Sequence, residues 1–289
     1  MPTSSMIQGY WRLAQWKLSP TQCLDFVKQH LDLGISTVDH APVYGQSSCE
    51  RLFGQALALE PSVRQQLQII TKCGIQGGNT DQGTVAHYFS QLPQIIQSAE
   101  DSLTRLGIEQ IDIFLLHRPD LLMDADETAH VLESLQKSGK IKHIGVSNFS
   151  NSQFSLLQSR LSAPLITNQI EINPINLQAT EDGSLDFLQQ HNVRPMAWSC
   201  LAGGDIFNSQ QPSVIRLRET LSQVQQEIGA DNIEQVVYAW VLKLPAKPIP
   251  ILGSGDIARV KSAVAAQQLS LTTEQWYRIW GASKGHGVA

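Results

Sequence analysis

The chain has 289 residues, 42% hydrophobic and 16% charged, with a formal net charge of −5. That balance argues against nucleic acid or an anionic membrane as partner, and no apolar run approaches the ~20 residues of a membrane span. The start, "MPTSSMIQGYW", has neither the basic head nor the apolar core of a secretory leader. Cys23, Cys49, Cys73 and Cys200 are scattered without a C-x-x-C, which argues against a disulfide framework or a zinc site and fits a reducing cytoplasm.

A first apolar run, "MIQGYW", reads as a strand. "LSPTQC" then predicts a helix start: Ser19 caps, Pro20 suits the first helical position and Gln22 completes a capping box. Leu24, Val27 and Leu31 repeat on one face, and Gly34 ends the segment. "ISTVD" and "LQIITK" are the next strand-like runs. A long helix follows, with Leu92, Ile95, Ile96, Ala99, Leu103 and Leu106 on one stripe. "IDIFLLH" comes next, then a helix around Val131, Leu132 and Leu135, then "IKHIGVS". "FSLLQSRL" precedes "LITNQIE", and "LDFLQQH" precedes "VRPMAWS"; helices between Val214 and Leu244 precede "KPIPIL".

Such alternation predicts parallel strands joined by right-handed helical crossovers. Eight runs in this length predict an α/β fold, a single (β/α)8 TIM barrel over residues 1–289, with its active site at the C-terminal rim of the strands. No low-complexity segment or charge run marks a linker, so one domain is expected. Two long loops, residues 73–89 and 200–212, are candidates to cover a ligand.

The strand ends carry the chemistry. The second presents Asp39 and Tyr44, the third Lys72, the fourth His117, the fifth Ser147 and Asn148. The sixth gives Gln169, the seventh Trp198 and Ser199, the eighth Gly253 and Ser254. One polar residue at a strand end is unremarkable, but an acid, a phenol, an ammonium and an imidazole on adjacent strands point to a proton-handling site.

"VDHAPVYG" resembles the D-x-A-x-x-YG signature of the aldo-keto reductases. "ITKCG", "IFLLHRPD", "GKIKHIGVSNFS", "ITNQIEINP" and "PILGSGDIARVKSA" are similar to further signatures of that family, in the same order and over nearly the whole chain. The variants "DHAPVYG" and "WSCLAGG" look nearest to a bacterial branch of general-purpose oxidoreductases within it. The resemblance implies reduction of an aldehyde or ketone, with hydride from NADP(H) and Tyr44 as proton donor. It places Lys72 beside the phenol to lower its pKa, Asp39 beside Lys72 to keep it charged, and His117 on the substrate oxygen. His40 stands where the family more often has a small hydroxyl residue. It reads either as a ring hydrogen-bonded behind Asp39 or as a packed imidazole.

The same resemblance assigns the cofactor. Ser147, Asn148 and Gln169 match residues that hold a carboxamide, Trp198 matches an aromatic that stacks on nicotinamide, and Ser199, Leu201 and Gly203 begin a loop over the pyrophosphate. Gly253, Ser254 and Arg259 lie in "ILGSGDIA" and its helix. Alone, that G-x-G-x-x-A looks like a dinucleotide fingerprint, but too little chain follows for a Rossmann half. The barrel explains it better, as glycines that let a helix N-terminus approach phosphate. Ser254 and Arg259 match the surroundings of a 2′-phosphate, whereas Gly253 replaces a common lysine. Trp11, residues 74–89 and the tail "GASKGHGVA" are candidates for the pocket of a small carbonyl substrate. A cofactor-binding regulatory subunit with slow catalysis stays open as the alternative, and no metal site is expected because clustered ligands are lacking.

Overall fold

The computed structural model describes residues 3–78 and 83–289. Contact density divides it into two compact units, Met1–Gln169 and Ile170–Ala289. The first contains β1 (Ile7–Gly9), α1 (Leu13–Trp16), α2 (Pro20–Asp32), β2 (Thr37–Asp39), α3 (Ser48–Leu59) and β3 (Gln68–Cys73). It continues with β4 (Ile75–Gln76), β5 (His87–Tyr88), α4 (Leu92–Leu106), β6 (Ile111–Leu116), α5 (Ala125–Lys137), β7 (Ile141–Ser147) and α6 (Asn151–Gln158). β8 (Asn168–Glu171) follows, then α7 (Gln178–Glu181), α8 (Ser184–Gln190), β9 (Met196–Trp198), α9 (Asp205–Asn208) and α10 (Pro212–Ile228). The chain ends with α11 (Ile233–Leu242), β10 (Ile249–Leu252), α12 (Ile257–Ala265) and α13 (Thr273–Lys284).

Among the described residues, eight parallel strands close into a barrel in the order β1-β10-β9-β8-β7-β6-β3-β2, as the alternation predicts. Most strands are shorter than the apolar runs that announce them, whereas β3 and β7 are as long as theirs. The register sets Thr37 beside Gln68 and Lys72 beside Leu115, so Asp39 and Lys72 reach the same end of the sheet. β4 and β5 form a small antiparallel pair within the long loop after β3.

Local rules account for much of this. Ser19 and Gln22 make the expected capping box of α2, with reciprocal bonds of 3.2 and 2.9 Å. The stripe on α4 buries Ile95, Ala99 and Leu106, while Leu92 is exposed. Gly54 lets α3 approach the end of α4: a Cβ there would lie 2.2 Å from the Arg105 carbonyl oxygen. In the second unit, the rings of Trp240 and Trp276 stack at 4.9 Å, and each indole N–H donates to the other's carbonyl. This clasps α13 to α11, and α13 takes up the "GASK" of the tail expected to line a pocket.

Two buried histidines make the fold sensitive to acid. His30 Nδ1 lies 2.7 Å from the Ile35 carbonyl and Nε2 lies 2.9 Å from the Tyr10 hydroxyl. The carbonyl only accepts, so Nδ1 carries the proton and Nε2 accepts from the phenol. The His40 ring stacks on Tyr10 at 4.8 Å and packs against Phe53, and neither ring nitrogen has a hydrogen-bond partner. It is therefore the packed imidazole, not a ring bonded to Asp39. Burial lowers His30 to about 4 and His40 to about 3. Both rings titrate near 6.5 once unfolded, so their stabilising effect is complete above about pH 6.5 and is lost as pH falls towards those folded values. The loss is on the order of 3 kcal/mol or more for each ring at full protonation. The melting temperature is expected to fall steadily between about pH 7 and about pH 4.5. A melting curve that does not move over that range would contradict the assignment.

Candidate active site

β2 ends at Asp39, and the chain then turns through Pro42 into the segment Tyr44–Ser47. Gly45, Gln46 and Ser47 there have φ of 54, 51 and 68°, three successive left-handed residues of which two are not glycine. Gly45 is required twice over, because a Cβ would also meet Ser48 Oγ at 2.5 Å. Ser48 Oγ donates to the Gly45 carbonyl at 2.6 Å and Ser47 Oγ to the Pro42 carbonyl at 3.1 Å. The turn is thus strained and held, and it fixes where Tyr44 stands.

Lys72 is fully buried at the end of β3. Its ammonium donates to both oxygens of Asp39, at 2.7 and 2.8 Å, to the His40 carbonyl at 2.8 Å and to Tyr44 Oη at 3.0 Å. It also lies 4.8 Å from the centre of the Tyr44 ring. A buried ammonium needs such partners, because desolvation alone drives its pKa down. Burial does lower Lys72, and Asp39 opposes that shift. His117 presents its ring edge-on to Tyr44, centroids 5.8 Å apart. Burial and the nearby Lys72 charge lower it to about 2, so it is a neutral imidazole at physiological pH.

The phenol departs from expectation. Burial and then the Asp39 charge raise Tyr44 well above its ordinary value, with Arg118 opposing. The expected lowering by Lys72 is not seen: burial is the largest cause and sets the direction, and Asp39 adds to it. Tyr44 is thus a fully protonated phenol. Its oxygen accepts from Lys72, and the Asp39 carboxylate is the acceptor beside its own hydrogen.

The first unit also gathers three of the expected cofactor residues. Ser147 Oγ donates to the Gln169 carbonyl at 2.8 Å and accepts from Asn148 Nδ2 at 2.8 Å. Asn148 takes φ 61°, a left-handed conformation that asparagine tolerates. Gln169 Nε2 donates to Asp39 Oδ1 at 2.8 Å, so this amide supports the carboxylate that holds Lys72. Sequence reasoning missed that link, and it missed Glu50. This buried carboxylate accepts from Thr71 Oγ1 and Arg105 Nε, both at 2.6 Å, and its charge helps keep Lys72 protonated. Nothing local in the sequence pairs positions 50 and 105.

In the second unit, Trp198 ends β9 and is partly exposed. Ser199, with φ 51°, Leu201 and Gly203, with φ 67°, form the following turn. Gly253 follows β10 with open space where a Cβ would project. Ser254 Oγ accepts from the Asp256 N–H, and Arg259 stands in the first turn of α12, half-exposed. A cavity of about 750 Å³ lies behind the Tyr44–Ser47 turn, lined by Val43, Gln46, Gln76, Phe89 and Arg105 among others. Phe89 and Gln76 come from the long loop expected to form a pocket, but Asp39, Tyr44, Lys72 and His117 do not line this cavity. Residues 79–82 of that loop lie outside the described residues.

Among the described residues no cluster of histidine, cysteine and carboxylate groups could hold a metal ion, and no helix is long and apolar enough to cross a membrane. A model of the aldo/keto reductase family matches residues 5–284. The chain is 50% identical over 287 residues to oxidoreductase YdhF of Escherichia coli, covering 99% of this chain and 95% of that one. It is 36% identical over 289 residues to a 6-dehydroglucose reductase of Agrobacterium fabrum, covering 99% and 96%. The solved glycerol dehydrogenase AKR11B4 of Gluconobacter oxydans matches with a TM-score of 0.85 at 26% identity, covering 99% and 93%. With this agreement of barrel, sequence and structure, the chain belongs to the aldo/keto reductase family and is one of its oxidoreductases.

Proposed function

We propose that the protein reduces aldehyde or ketone carbonyls to alcohols with NADP(H), and that Tyr44 gives the proton. The observation that carries this reading is the buried Lys72 ammonium, held by Asp39 and donating to the oxygen of a protonated Tyr44. Members of the family generally use a nicotinamide cofactor, which when bound supplies the hydride. The chain's own residues manage the oxygen. Tyr44 donates its hydrogen to the substrate oxygen as negative charge builds there. Lys72, 3.0 Å away, stabilises the phenolate left behind. Neutral His117 offers a ring N–H to the same oxygen and orients the carbonyl. Asp39, braced by Gln169, keeps Lys72 protonated.

The residues expected to hold the cofactor fit such a group. Asn148 offers a partly exposed amide held by the buried Ser147 hydroxyl, and Trp198 offers a partly exposed flat face. Gly253 leaves open space beside the start of α12, with the Arg259 guanidinium within reach of solvent. Arg259→Ala is expected to weaken NADPH about 10- to 100-fold by removing charge-assisted hydrogen bonds to the 2′-phosphate, and to leave NADH nearly unchanged. Fluorescence titration with both cofactors at fixed ionic strength checks this. Equal weakening would move Arg259 to the adenine or the fold.

The reading as an enzyme is tested by mixing the protein with NADPH and an activated aromatic aldehyde and following loss of reduced cofactor. Absence of turnover alongside tight cofactor binding would favour a regulatory subunit. Polyhydroxylated carbonyl compounds are the first class to screen, because the relatives include a 6-dehydroglucose reductase and a glycerol dehydrogenase. The four buried, unpaired thiols support a reducing cytoplasm, and the whole chain is proposed to unfold as one barrel domain in a single thermal transition.

A further inference from the structure

The start of α12, where a phosphate was expected, is already capped by a carboxylate. Asp256 Oδ1 accepts from the Ala258 N–H at 2.9 Å, and its own N–H donates to Ser254 Oγ at 3.1 Å. Three residues on, Arg259 Nη2 lies 3.5 Å from Oε2 of Glu234, and the guanidinium stands 5.7 Å over the Phe207 ring. Glu234 sits in the first turn of α11 with its side chain only 10% exposed, whereas Arg259 is 49% exposed. Burial raises the Glu234 carboxyl, and Arg259 is the charge that opposes this shift.

The arginine that would recognise a 2′-phosphate thus has the Glu234 carboxylate for a neighbour, while Asp256 caps the helix it stands on. A bidentate grip on phosphate needs the fork of the guanidinium turned to the ligand, with bonds near 2.7–2.9 Å, about the range of charge-assisted pairs. The Glu234 pair is longer than that, so the arginine can turn, but the carboxylate stays nearby and repels the incoming dianion. A hydroxyl at the same place carries no charge and feels little of this.

We propose that Glu234 is a specificity-determining residue: by holding Arg259 and repelling a 2′-phosphate, it narrows the preference for NADPH over NADH. The inference rests on Arg259 meeting the 2′-phosphate, and the experiment separates the two. Dissociation constants for NADPH and NADH are measured by fluorescence titration for the wild type, Glu234→Gln, Glu234→Ala and Arg259→Ala, with melting temperatures as the control for folding. Glu234→Gln is expected to widen the NADPH:NADH preference about 3- to 10-fold, the size of one unit charge removed at several ångströms in a partly screened setting. Glu234→Ala should move it in the same direction. An unchanged preference in both variants, or equal tightening of the two cofactors, overturns the role of Glu234. A preference untouched by Arg259→Ala overturns the underlying assignment of Arg259, whatever Glu234→Gln does.

Discussion

Tyr44→Phe is expected to lower kcat for aldehyde reduction roughly 10²- to 10⁴-fold, the range a positioned proton donor contributes. The fold should scarcely notice. Lys72 has three hydrogens, and without the phenol it still has the two Asp39 oxygens and the His40 carbonyl to receive them. The phenylalanine ring keeps its place against the ammonium and edge-on to His117. Cofactor affinity should therefore hold while turnover collapses, and steady-state kinetics beside a cofactor titration show whether it does. Retention of more than about a tenth of wild-type kcat would be too much for loss of a general acid, and another proton source would have to be found.

Lys72→Met should damage both turnover and stability. The Asp39 carboxylate, 3% exposed, would keep one donor from Gln169 but lose its cation. Removing one partner of a buried ion pair costs about 3–5 kcal/mol, on the order of 10 °C in melting temperature for a chain of this size. Tyr44 would lose the ammonium that stabilises its phenolate, so kcat should fall about as far as in Tyr44→Phe. Thermal melts across pH and pH–rate profiles of both directions are the measurements. A variant with wild-type melts and profiles would make Lys72 a bystander.

Asp39, Lys72, His117 and Ser147 were legible because each closes an apolar run, and the alternation of runs and helices fixes which ends meet. The capping box at Ser19 was legible for a local reason: both partners lie within one turn. The less legible features depend on neighbours distant in sequence. The four-residue α1 has no periodicity to betray it. The main-chain carbonyl that receives Lys72 is invisible in any residue pattern, and so is the turn of the Gln169 amide towards Asp39. The glycines of "ILGSGDIA" suggested an open helix start, yet Asp256 caps it, and the Glu234 carboxylate comes from a different helix. The raised phenol of Tyr44 shows the same limit. Its direction follows from how deeply the fold buries the phenol and how close it sets Asp39, neither of which a residue pattern gives.

The turn that carries Tyr44 also bears on how this protein would respond to selection for heat tolerance. Gln46 and Ser47 hold left-handed backbone at a cost on the order of 1 kcal/mol each, which glycine would relieve. A screen that scores survival alone should therefore find Gln46→Gly attractive, whereas Ser47→Gly would also lose the bond to the Pro42 carbonyl. The same change frees the segment that aims the phenol, so the hardier variants are expected to be the slower ones. Thermostable descendants with intact turnover should come from sites far from this turn.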